Sequence, residues 1–255
     1  MNEKHTTSHG VLEIDDLAAI LCYPRAEPVE LQARMKELAS IQVTAIELAG
    51  PQSIGRGRIL GKGCVGIVVR AQMQGNIVAL KIRRTDANRP DMSHEAHMLR
   101  LANSIRVGPE LLAESKNFLV MEFIEGLTLG RWIQLVPIRG SKRRVRKLIA
   151  ALLDDCFRLD QIHLDHGELS SAPKNVLVDG AGIPRIVDFE SASDKRRPSN
   201  VTSIAQYLLL GDGPAKRLRS ILGWRRRKSL IHALRDYKGT LSAPSYEKIK
   251  NIAEL

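Results

Sequence analysis

Aromatic side chains are scarce, with four Phe, four Tyr and two Trp in 255 residues. That scarcity argues against a protein that grips single strands by stacking bases on rings. Cysteine is scarcer still. Cys22, Cys64 and Cys156 are far apart and odd in number, which leaves neither a paired-cysteine metal pattern nor a disulfide framework. Long apolar runs are missing as well, since stretches such as Leu17–Cys22 and Tyr207–Leu210 are far too short to cross a bilayer. The first ten residues, MNEKHTTSHG, lack the basic-then-apolar order of a signal peptide. Together these absences predict a reducing, cytoplasmic setting without a membrane partner.

What is present predicts a folded chain. Hydrophobic residues make up 44% and charged residues 26%, and the length suits one large domain or two lobes. The net charge of +11 is uneven. Residues 1–50 carry 4 basic and 8 acidic side chains, whereas residues 191–255 carry 14 and 5. Four basic clusters, Lys142–Lys147, Lys195–Arg197, Lys216–Arg219 and Arg225–Lys228, suggest a polyanionic partner, with a surface that would suit the phosphates of RNA or a ribonucleoprotein. For any single cluster a solvated helix face is the plainer reading.

Three segments follow from the patterning. Residues 1–42 read as an acidic, helical N-terminal extension, with Pro28 opening a helix. Residues 43–125 are rich in strands, including a hairpin turning at Gln74–Asn76 and a strand pair at Leu111–Ala113 and Asn117–Phe123. A helix begins near Ser93. Residues 126–255 are helical, led by an apolar stripe of Val145, Leu148, Ile149, Leu152, Cys156 and Leu159. Short helices follow at about 200–210, 214–222, 226–237 and 244–252. Strands first and helices later predict an α+β fold with a β-rich small lobe and an α-rich large lobe.

The chemistry-bearing motifs come in a fixed order. Gly61, Gly63, Gly66 and Val68 fit G-x-G-x-x-G-x-V, whose glycines let backbone N–H groups approach phosphate oxygens. Strand–turn–strand follows, not the helix of a dinucleotide fold, and no Walker A spacing is present. Next comes Val78-Ala79-Leu80-Lys81, where alternation puts Ala79 and Lys81 on one face. Glu95 follows on the helix from Ser93 and supplies a carboxylate for the lysine. His94 and His97 beside it do not have zinc-binding HExxH spacing. Met121, Glu122 and Phe123 then end a strand as a hinge. His166-Gly167-Glu168-Leu169 leads to Asn175, Val176 and Leu177, and Asp188-Phe189-Glu190 closes the set. Asp165 is a second acid beside His166.

In this order the motifs, covering roughly residues 55–190, resemble the protein-kinase-like superfamily, and within it the RIO-type and archaeal predicted serine/threonine kinases. The resemblance implies a two-lobed fold with a shortened helical C-lobe, and ATP with Mg²⁺ (or Mn²⁺) as cofactors. Lys81 would position phosphates, Asp188 and Asn175 would hold metal, and Glu168 would be the catalytic carboxylate that orients the acceptor hydroxyl and accepts its proton. Gly61, Gly63, Gly66, Val68, Ala79, Glu95, Met121, Glu122, Phe123 and Leu177 would surround the nucleotide. Two departures from the pattern concern catalysis: Glu168 stands where the family has Asp, and Asn175 follows it by seven residues where the family has five. No A-P-E motif follows Asp188. The implied activity is transfer of the ATP γ-phosphate to a protein hydroxyl. The alternative is a nucleotide-binding ATPase or pseudokinase scaffold in an RNA-associated assembly. A small-molecule kinase of the aminoglycoside type shares the site logic, but the 67 residues after Asp188 leave little room for its acceptor-binding helices.

Overall fold

Alternating apolar residues from Gly66 to Arg83 set the centre of the fold, as seen in a computed structural model that describes residues 14–255. Residues 1–13, the start of the predicted extension, lie outside the described residues. The chain divides into two compact units. One takes the residues up to Met92 together with Leu112–Met121, and the other takes Ser93–Leu111 and Glu122–Leu255.

The first unit contains α1 (Ile14–Leu21), α2 (Pro28–Ser40), β1 (Val43–Glu47), β2 (Gln52–Ile54), β3 (Gly57–Ile59), β4 (Gly61–Lys62), β5 (Gly66–Met73) and β6 (Asn76–Arg83). Strands β7 (Leu111–Glu114) and β8 (Phe118–Glu122) complete its main sheet, ordered β1-β5-β6-β8-β7 with β4 also on β5. The β5–β6 pair is antiparallel with Val69 opposite Leu80. It turns through Gln74 and Gly75, both at positive φ (51° and 78°), as a two-residue hairpin of matching twist requires. Ile67, Val69, Ala71, Val78, Leu80 and Ile82 share one face and form the core with Phe118 and Val120. Burying each Val, Leu, Ile or Phe side chain of this set contributes roughly 1.5–3 kcal/mol.

The segment predicted as an extension contributes to this core through Ile20, Leu21, Cys22 and Leu38. Arg34 of α2, wholly buried, fastens it. Its guanidinium donates to Leu21 O (2.5 Å), Arg83 O (2.6 Å), Asn117 Oδ1 (3.2 Å) and Glu30 Oε1 (2.6 Å). A buried cation is tolerated here because each of its three nitrogens has an acceptor.

The second unit is mainly helical: α3 (Ser93–Ser104), α4 (Leu129–Leu135), α5 (Lys142–Gln161), α6 (Ala172–Asn175), α7 (Asn200–Ala205), α8 (Pro214–Leu222), α9 (Arg227–Thr240) and α10 (Ala243–Ala253). A small antiparallel sheet joins β9 (Gly126–Thr128), β10 (Val176–Asp179) and β11 (Pro184–Ile186) in the order β11-β10-β9. The predicted stripe on α5 is buried in full. Wholly buried Asp160 accepts from Asn200 N and Nδ2, Val201 N and Tyr237 Oη, and so holds the start of α7. After α7 a π-helical turn, Gln206–Leu210, buries three successive leucines.

Arginines finish several helix ends, where carbonyls lack partners. Arg217 donates to Ile133 O and Val136 O behind α4, Arg219 to Leu209 O and Gly211 O, Arg227 to Leu210 O, and Arg197 to Lys238 O and Gly239 O. Part of the basic excess is therefore structural. The protein is a mixed helix-and-strand fold with antiparallel sheet, and among the described residues no helix is long and apolar enough to cross a membrane.

Candidate active site

The predicted site residues are distributed over both units. In the first, β4 and β5 pair as Gly61 with Val68 and Lys62 with Ile67, so the glycine motif is a hairpin. Gly63 N donates to Gly66 O (2.8 Å), and Arg84 fastens the loop by donating from Nη1 to Gly63 O and from its backbone to Val65 O. Exposed Cys64 lies in this turn. Lys81 stands opposite Val68, and Ala79 opposite Arg70, on the sheet face away from the core. Leu119 and Met121 alternate with the core residues Phe118 and Val120, so Met121 shares that outer face. Lys81 is buried, and its stem runs over Gly66, where a Cβ would lie 3.0 Å from Lys81 Cε. Any larger residue at Gly66 would displace the lysine.

In the second unit the β10–β11 hairpin does the assembling. Val176 pairs with Ile186, and Val187 N donates to Asn175 O (2.9 Å). Asn175 therefore precedes one strand and Asp188 follows the other at the same end of the hairpin. Asp179 Oδ1 closes the opposite end by accepting from Ala181 N and Ile183 N. Leu177 lies mid-strand between Thr128 and Arg185.

Glu168 comes to the same end. Its Oε2 accepts from Asn175 Nδ2 (3.1 Å) and its Oε1 from Ser191 Oγ (2.7 Å). The Ser191 hydroxyl, followed by the Asn175 amide, holds the Glu168 carboxyl below the usual range despite partial burial. The stretch between Glu168 and Asn175 is helical: a 3-10 turn, Leu169–Ser171, runs into α6, which ends at Asn175. This coil brings the Asn175 amide back to the Glu168 carboxylate.

Asp188 sits at φ 68°, a left-handed backbone that Asp tolerates better than most residues. A carboxylate oxygen of Asp188, one of Glu95 and one of Glu190 lie within 4.8 Å of one another. Glu95 arrives on α3, which is anchored beside them by His94 Nε2 donating to Ala192 O (3.0 Å). His97 faces Asp194 at 4.0 Å, so neither histidine joins the cluster. Phe189 is buried against Gly108, where a Cβ would meet its ring at 2.9 Å, and against His166.

His166 is fully buried. Its backbone N–H donates to Asn200 Oδ1 (2.9 Å) and its Nε2 to Val187 O (3.0 Å). Because a carbonyl only accepts, Nε2 carries the proton and Nδ1 is a bare lone pair with no partner. Burial pushes the imidazole below its ordinary value. Asp165 has separate duties, with Oδ2 accepting from Arg196 Nε (3.0 Å) and Oδ1 from Ser199 N (3.1 Å). Arg196 also donates to Ser191 O, across Gly167, whose φ of 85° and lack of Cβ this crossing requires.

At the hinge position, Glu122 N donates to Glu110 O (2.9 Å) and its carboxylate accepts from Arg185 Nη2 (2.5 Å). Its backbone N–H is therefore committed within the protein. Sequence reasoning did not single out Ser191, Asn200 or Arg196 as site residues, and gave Glu190 no role of its own. The two-residue spacing of Glu190 from Asp188 was a usable signal, whereas nothing local marks the other three. Compared with known proteins, the chain matches no protein-family model and no curated protein.

Proposed function

We propose that the chain is an ATP- and Mg²⁺-dependent phosphotransferase of two-lobed, protein-kinase-like architecture, transferring the γ-phosphate to a serine or threonine hydroxyl of a protein. The observation that carries this reading is the convergence at one end of the β10–β11 hairpin. Glu168 and Asn175 are hydrogen-bonded there, and Asp188 stands beyond the paired strand among three carboxylates. The donors are hard oxygens, which suit Mg²⁺ or Mn²⁺ and disfavour soft metals.

Asp188 and Asn175, with Glu95 and Glu190 near, would hold the ion, which when bound neutralises phosphate charge. Lys81 would grip phosphate oxygens, and the backbone at Gly61, Gly63 and Gly66 would approach them closely. Val68, Ala79, Met121, Leu177 and Phe123 would give the base an apolar surround, with the Glu122 carbonyl as an acceptor. Glu168 would orient the acceptor hydroxyl and take its proton.

One observation favours the second reading, a slow ATPase or scaffold. The Ser191 and Asn175 hydrogen bonds depress the Glu168 pKa and so make it a weaker base. Transfer from [γ-³²P]ATP to a generic protein, wild type against Lys81→Ala, Asp188→Ala and Glu168→Gln, separates the two. The phosphotransferase reading expects Asp188→Ala to lose at least about 10²-fold while remaining folded. ATP binding with hydrolysis but no transfer under either metal selects the scaffold. Unchanged transfer in Asp188→Ala removes both assignments of that residue.

A further inference from the structure

Two basic runs far apart in sequence come together in the second unit. Glu254, at the end of α10, accepts from Arg146 Nη2 (3.1 Å) and lies 3.7 Å from Arg226 Nε. This acid joins the run Lys142–Lys147, opening α5, to the run Arg225–Lys228, opening α9. The two runs hold nine cations, six of them arginine.

Part of this charge has an internal use: Arg227 donates to Leu210 O, and Arg144 lies over the Trp132 ring. Lys142, Arg143, Lys147, Arg225 and Lys228 are exposed and make no side-chain hydrogen bond or ion pair among the described residues. Cations are also misplaced at these positions for the helices' own sake. Neither α5 nor α9 has an acidic residue in its first turn or a side-chain cap, and a helix start disfavours positive charge. The fold thus tolerates a repulsive surface that its own packing does not require.

We infer that this patch binds the phosphodiester backbone of a nucleic acid. Arginine forks suit phosphate oxygens, and a duplex offers the matching density of negative charge. None of the exposed large hydrophobic side chains falls within either run, which leaves nothing to anchor in a lipid surface. Trp132 and Trp224 are buried, so bases have no ring to stack on, and recognition is of backbone and not of sequence. The inference is independent of the phosphotransferase reading.

The test is fluorescence anisotropy of the full chain with a labelled 20-base-pair RNA duplex and the same-sequence DNA duplex. If about six phosphates are engaged, affinity falls roughly 10³-fold between 50 and 200 mM salt. Replacing Lys142, Arg143, Arg225 and Lys228 by Gln flattens that salt dependence by about four powers and weakens low-salt binding at least about 100-fold. Replacing four cations of the first unit, Arg25, Lys36, Arg56 and Lys116, by Gln leaves binding within about threefold. Should the patch variant melt early, Arg143→Gln with Arg225→Gln is read in its place. The relative affinity of the two duplexes identifies RNA or DNA as the source of the backbone. Three results overturn the proposal: no binding to either duplex at 50 mM salt, equal losses in the two four-site variants, or tighter binding to phosphatidylserine vesicles or polyglutamate than to either duplex.

Discussion

His166 shows how one residue ties stability to pH. Buried and neutral, it has a folded pKa below its unfolded one, so the unfolded chain binds the extra proton first as pH falls. The stability associated with its neutral form is present above about pH 6.5 and declines as pH drops from there towards the folded value. Urea denaturation at pH 7, 6 and 5 is expected to show this decline in wild type and a shallower one in His166→Gln. Parallel declines would assign the effect to other groups. Glu168 is shifted in the same direction by its hydrogen bonds, chiefly from Ser191, so its contribution is present above the usual carboxylate range and is lost in more acid solution. The identities of His166, Glu168, Asn175 and Asp188 as a group were readable from order and spacing. Ser191, Asn200 and Arg196 were not, because a serine bonded to a carboxylate 23 positions away leaves no periodic or spacing mark.

Elements were the most legible level. The β5–β6 hairpin, α3 and α5 are encoded locally, by alternation, a turn residue and an apolar stripe, and each stands within a few residues of where the pattern puts it. The turn makes a direct test. With Gly75 at φ 78°, Gly75→Ala is expected to cost about 1–2 kcal/mol, whereas Gln74→Asn, which suits the left-handed region, stabilises slightly. Thermal melts that rank the two variants the other way would show that the turn is not what sets this hairpin. The role of α2 was harder to read. Its apolar spacing predicted a helix, but the docking through Arg34 depends on Arg83 and Asn117, which are remote in sequence, as well as on Leu21.

At the scale of the whole molecule, the chain passes between its two units more than once, because α3 belongs with the later helices and Leu112–Met121 with the earlier strands. The sequence reading divided the chain at 125, where composition changes. A fragment of residues 126–255 would lack Gly108, against which Phe189 packs, and the α3 anchor at Ala192. It is expected to give no cooperative melt, while a fragment that joins residues 93–111 to 122–255 through a short glycine-serine linker does. A sharp transition in the shorter fragment would show that α3 is dispensable to that core.

The widened turn at Gln206–Leu210 carries a genealogical consequence. Three successive residues of an ordinary α-helix sweep about 200°, so one of Leu208, Leu209 and Leu210 would face outward without it. The wide turn is a phase slip of one residue. A descendant that lost that residue would have to expose a leucine or rebuild the packing around it. Chain length between Asn200 and Gly211 is therefore a discrete character, able to mark kinship after the surrounding side chains have drifted beyond alignment.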